Sequence, residues 1–146
     1  MAGIVSYGAY VPRYRLKRMS IFQNMGWINP TTIMLAQGEK AVANSDEDSL
    51  TLATNAAIEC LKGFDRSAVE ALFYASTTMP YTERQNAGII ATALNLKEEV
   101  RSADFSGALK GGTSALISAF EGVKSGTLAR ALVCAADCRL GKMGSS

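Results

Sequence analysis

Ser102-Ala103-Asp104-Phe105-Ser106-Gly107-Ala108-Leu109-Lys110-Gly111-Gly112-Thr113-Ser114-Ala115-Leu116 is the stretch whose reading decides the fold. It opens as a short apolar-leaning strand, Ser102 to Phe105, turns sharply through small residues, and enters a helical pattern near Gly111. Leu116, Ala119, Phe120 and Val123 recur behind the turn at helical spacing. A strand that bends directly into a helix aims the elbow at the helix N-terminus, where unpaired backbone N–H groups and the positive end of the dipole favour negative charge. Enzymes that need a thiolate or alkoxide place the nucleophile at such an elbow, because the dipole lowers its pKa. The elbow residue here is Leu109, which offers no nucleophile.

Outward from the elbow, the chain alternates strand-like and helix-like segments. Ala71-Leu72-Phe73-Tyr74-Ala75-Ser76-Thr77 is a dense apolar run that predicts a strand. Ala129 to Ala136 is apolar on both faces, as a central strand in a covered sheet would be. Ile4, Val5 and Tyr7 before Gly8 read as a third buried strand, stopped by Pro12. Between these lie a weak helical piece, Ser20 to Gly26, and a second one, Thr31 to Gln37, opened by Pro30 and ended by Gly38. Leu50, Ala53, Thr54, Ala57 and Leu61 recur at helical spacing after the acidic Asp46-Glu47-Asp48, which complements the helix dipole, and Gly63 closes that helix. Gln85 to Leu94 predicts another, with Ile89, Ile90, Ala93 and Leu94 inward. Trp27, the only tryptophan, reads as a core or lid residue. Strands alternating with helices give an α/β layered fold, in one domain of 146 residues without internal repeats.

Composition narrows the function classes. Hydrophobic residues make up 48% and charged residues 19%, ordinary for a globular chain. A net charge of +2 gives no reason to expect nucleic acid. No apolar run is long enough to span a bilayer and no signal peptide is apparent, so no membrane partner and a cytoplasmic location are expected. Cys60, Cys134 and Cys138 lack a disulfide-framework spacing and read as reduced thiols. Cys134 and Cys138 alone do not make a metal site in a chain without histidine, so no metal is expected. The missing histidine matters for chemistry too, because acyl-transfer sites use histidine as general base or oxyanion donor.

Ala108-Leu109-Lys110-Gly111-Gly112-Thr113-Ser114-Ala115 resembles the active-site segment of 3-hydroxy-3-methylglutaryl-CoA synthase and, more loosely, that of ketoacyl-ACP synthase III, both of the thiolase superfamily. The rest of the chain agrees in order. Gly3 to Arg15 resembles the synthase's first strand and following loop, Gly38-Glu39-Lys40 and Asp46-Glu47-Asp48 its next landmarks, and Lys124-Ser125-Gly126 and Ala135-Ala136-Asp137 the helix end and strand after the nucleophile. The resemblance implies a thiolase-like layered α/β/α fold, of which residues 1–146 form the N-terminal half. The family histidine comes from the second half of a considerably longer chain, and the glycine- and serine-rich ending Gly141 to Ser146 has no closing element. The resemblance further implies a coenzyme A thioester as ligand, with no covalently bound cofactor. The implied partners are acyl-CoA or acyl carrier protein, and the second half of the fold or a thiolase-like subunit in a homo- or hetero-oligomer.

Site residues follow from the same resemblance. Leu109 stands where the family has its nucleophilic cysteine, and Thr77 where the synthase has its general-base glutamate, a glutamate that ketoacyl-ACP synthase III lacks. Glu83, nearby, reads as an exposed loop acid. Pro12-Arg13-Tyr14-Arg15-Leu16-Lys17-Arg18 reads as a loop with four cations, either a landing place for coenzyme A phosphates, with Arg13 and Arg15 foremost, or a solvated surface. Lys110, Gly111 and Gly112 are expected to bind substrate at the elbow, where the glycines allow close approach and backbone N–H groups face a thioester oxygen. Leu109 is expected to fill the space of the missing thiol and its acyl group.

Three functions remain open: an acyl-CoA-handling subunit impaired in covalent catalysis, an active acyltransferase with another nucleophile, or a structural and dimerisation module. For the second, Cys138 is the better candidate, since Ser106 is expected within the strand. For the third, Ser102 to Phe105 matches the strand that pairs across the family's dimer interface.

Overall fold

A computed structural model of the chain describes residues 2–141. The chain divides into two compact units. One runs up to Tyr10 and resumes over Asp48–Cys138; the other comprises Val11–Glu47 and the residues from Arg139 on. The expected unstructured ending falls almost wholly on residues 142–146, outside the described residues.

The larger unit is the α/β body. Three parallel strands, β3 (Ala71–Ala75), β4 (Arg101–Phe105) and β5 (Ala131–Ala135), form a sheet in the order β4-β3-β5. Its helices are α2 (Ser49–Cys60), α3 (Asn86–Ala93) and α4 (Gly111–Lys124). Alternation along β3 sends Leu72 and Tyr74 to one face and Ala71, Phe73 and Ala75 to the other. The first face packs with Leu50, Ala53 and Ala57 of α2 and Ile90 of α3; the second packs with Ala115 and Ala119 of α4. Helices on both faces of a parallel sheet make the α/β/α layering expected from the sequence. Small residues at the helix contacts let the layers approach closely, and Phe73 meets Phe105 edge-on at 5.7 Å between ring centroids.

Local signals explain the helix limits. Asp48 caps α2 in a reciprocal box with Thr51: the Thr51 N–H donates to Asp48 Oδ1 at 2.8 Å and the Asp48 N–H to Thr51 Oγ1 at 2.7 Å. Gly63, with φ +76°, carries the chain away from the end of α2. In α3 the inward residues are Ala87, Ile90 and Ala91, followed by Leu94; Ala93, expected inward, is exposed.

Two strand expectations change. β5 is an edge strand and β3 the central one. The apolar pattern of β5 reports the two helical layers that its faces meet, and side chains carry no record of whether a backbone edge is paired. Ile4, Val5 and Tyr7 do not form a buried strand: they are extended without a ladder partner and 68%, 80% and 90% exposed. A strand needs a hydrogen-bonding neighbour, and no described segment of the chain pairs with them.

The smaller unit pairs β1 (Tyr14–Lys17) antiparallel with β2 (Glu39–Val42), in the register Tyr14↔Val42 to Lys17↔Glu39. The presumed cationic loop is therefore partly a strand. Tyr-Arg-Leu-Lys alternates apolar and cationic residues with period two, a strand signal that its charge obscured. Helix α1 (Arg18–Met25) follows, and Pro30–Leu35 is a 3-10 helix, shorter than the expected helical piece. Trp27 is 75% exposed, its indole N–H donating to Asn24 O at 3.1 Å, so it is not a core residue of this unit.

Candidate functional site at the carboxyl ends of the strands

The carboxyl ends of β3, β4 and β5 meet the N-terminus of α4. The sequence elbow lies between β4 and α4 as expected: Phe105 ends the strand, Gly107 turns the chain with φ +80°, and Gly111 opens the helix. A Cβ on Gly111 would sit 3.1 Å from Phe105 O and 3.7 Å from the Ala75 Cβ, and one on Gly112 3.5 Å from the Ala135 Cβ. The glycines thus set α4 close against the ends of all three strands. No side chain caps α4, and Lys110 occupies its N-cap position with near-helical backbone.

Leu109 is 83% exposed beside this helix end. It fills no enclosed space within the described chain, contrary to the sequence expectation. Ser106 is exposed and follows β4, outside the strand to which the sequence reading assigned it.

A second polar group gathers across β3 and β5. Asp137 Oδ1 accepts from the Thr77 N–H at 2.7 Å and from Ser76 Oγ at 3.1 Å. The Thr78 N–H donates to Ser76 Oγ at 3.0 Å, and the Cys138 N–H to Thr78 Oγ1 at 2.8 Å. Ser49, the first residue of α2, donates its hydroxyl to Thr78 O at 2.7 Å. The turn carrying Thr77 is thereby clamped from the end of β5 and from α2. Thr77 is exposed, and so is Glu83, as expected of a loop acid.

Beneath this turn, the Tyr74 hydroxyl is fully buried and makes no hydrogen bond to the described residues, although the Ser49 and Ser76 hydroxyls lie within electrostatic reach. Burial raises its pKa, and those two hydroxyls pull it partway back. Burial pushes the Cys134 thiol up to about 12, with neighbouring Cys60 adding to the rise, so Cys134 is protonated and inert as a nucleophile near neutrality.

Sequence reasoning missed the fixture that holds the loop after β3. Asp104 projects from β4 and accepts from the Asn86 and Ala87 N–H groups, both at 2.7 Å, capping α3. Asn86 Nδ2 donates to Asp104 Oδ2 at 3.0 Å and to Tyr81 O at 2.9 Å. Gln85 and Ser102 exchange two further bonds. The available signal was an acid alternating with Ser102 on one face of the strand, opposite Ala103 and Phe105. Of the predicted site residues, the larger unit brings Thr77, Leu109, Lys110, Gly111, Gly112 and Cys138 to the carboxyl ends of one sheet. Arg13 and Arg15 belong to the smaller unit. Arg15 Nη1 bonds locally to Pro12 O and, at 3.0 Å, to Tyr14 O.

No protein-family model matches the chain. It is 38% identical over 144 residues to the hydroxymethylglutaryl-CoA synthase of Thermococcus onnurineus, covering 97% of this chain and 40% of that protein. It is 35% identical over 150 residues to the hydroxymethylglutaryl-CoA synthase of Methanocaldococcus jannaschii, covering 43% of it. Its structure superposes on MvaS in complex with 3-hydroxy-3-methylglutaryl coenzyme A with a TM-score of 0.86 and 25% identity, over 99% of this chain and 36% of that one. The chain has the fold of an N-terminal half of a hydroxymethylglutaryl-CoA synthase-like, thiolase-type protein. The priming β-ketosynthase of the R1128 polyketide pathway shares the fold alone, at a TM-score of 0.78 and 22% identity over 92% of this chain. This chain spans about 40% of the length of the curated relatives that it matches.

Proposed function

We propose that this chain is the acyl-CoA-handling half of a thiolase-type condensing assembly, impaired in covalent catalysis. The observation that carries the reading is Leu109, exposed beside the N-terminus of α4, at the position that the sequence resemblance assigns to the family's nucleophilic cysteine. An acyl-enzyme needs a side chain that attacks a thioester carbonyl and then leaves. Leucine does neither at any pH. Thr77 removes the carboxylate that would act as base on the synthase pattern, and the chain has no histidine. What the elbow retains is a binding device: an uncapped helix N-terminus, close approach at Gly111 and Gly112, and the Lys110 cation. Arg13 and Arg15 supply guanidinium groups for coenzyme A phosphates. The ligand is a coenzyme A thioester or an acyl carrier protein, and the partner is the remainder of the fold or a thiolase-like subunit, in a soluble oligomer working in the cytoplasm.

The test is incubation of the chain, alone and co-expressed with a thiolase-type partner, with acetyl-CoA, followed by intact-mass measurement and peptide mapping. No acyl adduct at residues 106–112 is expected, while calorimetry detects coenzyme A binding that weakens with salt and with Arg13→Ala and Arg15→Ala. A second reading, an acyltransferase with another nucleophile, draws on Cys138, whose N–H is tied to Thr78 at the same end of the sheet. An acetyl group on Cys138 or Ser106 that turns over with a second substrate would replace the impaired-subunit reading with that one.

A further inference from the structure

Tyr74 lies on the central strand β3, opposite Asp104 of β4 on one side and Cys134 of β5 on the other, and its side chain packs in the layer formed with α2 and α3. Its exposure is 0%, so no group from outside this chain reaches its hydroxyl without displacing a described residue. A buried phenol O–H without an acceptor is costly, and a phenylalanine would fill nearly the same space without that cost. The hydroxyl faces those of Ser49 and Ser76, themselves 0% and 5% exposed, whose dipoles act on it although neither bonds to it.

The donors and acceptors of these three hydroxyls form a simple balance. Ser49 spends its proton on Thr78 O at 2.7 Å and keeps the lone pairs of its oxygen. Ser76 donates to Asp137 Oδ1 at 3.1 Å and accepts from the Thr78 N–H at 3.0 Å. That leaves Ser76 Oγ a second lone pair, for which the Thr78 hydroxyl competes from 3.3 Å. Tyr74 holds an unspent proton. Two acceptors and one donor are matched by a molecule that gives two protons and takes one, which is water. A cation offers no lone pair to the Tyr74 proton, an anion offers no proton to the serines, and a larger molecule would have to part the core that encloses Tyr74.

We infer that one buried water binds among Tyr74, Ser49 and Ser76, accepting from the Tyr74 hydroxyl and donating to both serine oxygens, and that Tyr74 thereby positions the turn after β3. Three bonds are typical of an internal water. Ser49 and Ser76 are also the residues that hold Thr78, one by its C=O and the other by its N–H. The water braces both from below, while Asp137 holds the Thr77 N–H from above. Tyr74 is sealed from the surface and acts only through the water and the serines, so it is a positioning residue for the turn that carries Thr77. This inference does not depend on the acyl-CoA reading or on the identity of the partner.

The experiment is a high-resolution crystal structure of the chain, alone or with its partner, with Tyr74→Phe beside it. A water about 2.6–3.0 Å from all three oxygens is expected. Tyr74→Phe keeps the packing, and the water should be lost with its acceptor bond. Amide exchange at Thr77 and Thr78 should then quicken about tenfold, while Leu72 and Phe73 in β3 keep their rates. A direct bond from Tyr74 to either serine, with no water between them, overturns the site. A water retained in the variant overturns the positioning role of Tyr74. So does unchanged exchange at the turn, or equal quickening at the turn and in β3, the sign of a general loss of stability.

Discussion

Replacing Leu109 by cysteine puts a thiol at the position proposed for the nucleophile and separates what the backbone supplies from what the residue supplies. Leu109 is 83% exposed, so less than a fifth of its surface is shielded. Full burial of a leucine is worth about 1.5–3 kcal/mol, and the shielded part accounts for roughly 0.3–0.5 kcal/mol on the same scale. Leu109→Cys should therefore lower Tm by no more than about 3 °C, in place of the larger loss expected if a cavity were left. The new thiol would precede the N-cap of α4, where no side chain competes for the first-turn amides. The dipole should favour its thiolate. Alkylation by iodoacetamide at pH 7, followed by mass spectrometry, should label residue 109 about ten times faster than half-buried Cys60 and Cys138. Acetyl transfer from acetyl-CoA should still not turn over in this chain alone, because no histidine is present to shuttle the proton. A Tm loss above about 6 °C would show that Leu109 is packed, and labelling no faster than Cys138 would show that the helix end does not polarise the elbow. Either result refutes the reasoning.

The remaining predictions concern the scaffold of the site. Gly111→Ala places a Cβ 3.1 Å from Phe105 O and should destabilise by about 1–2 kcal/mol, whereas Gly112→Ala, with ordinary contact at 3.5 Å, should be neutral or stabilising; urea midpoints of the two variants check the contrast. Asp104→Ala leaves the Asn86 and Ala87 amides without an acceptor and should cost about 2–3 kcal/mol; thermal melts should rank Asp104→Asn between it and the wild type. Stability should also fall from pH 9 toward pH 12. There the folded chain keeps the Cys134 proton that the unfolded chain releases, so unfolding is favoured as pH rises, by up to about 1.4 kcal/mol per pH unit. Cys134→Ala should flatten that slope in urea titrations, and an unchanged slope would reassign it.

How legible the fold was depends on which part of the backbone a side chain reports. Faces are legible. Leu72 and Tyr74 alternate with Ala71, Phe73 and Ala75, and both sets are buried, which is why the dense apolar run of β3 could be read as a strand. The elbow was legible because glycines and small residues are required where α4 abuts three strand ends, whatever residue stands at position 109. Charge hid the β1 ladder, since Arg15 and Lys17 look the same in a solvated loop and on an exposed strand. The clamp of Asp137 on Thr77 and the cap of Asp104 on α3 join residues 60 and 17–18 positions apart, and nothing local in the sequence marks such partners.

Edges are not legible at all. β5 and the segment 2–8 both carry the apolar residues of covered strands, yet among the described residues one is an edge and the other has no ladder. The two departures have one physical origin. Apolar patterning specifies the layers above and below a strand, while hydrogen bonding specifies its neighbours within the sheet, and these requirements are satisfied by different groups. Where the first is met and the second is not, the sequence reads as a strand and the structure shows an open row of N–H and C=O groups. That mismatch occurs twice among the described residues, at β5 and at segment 2–8, and in both the side chains satisfy the layers while the backbone leaves an edge open.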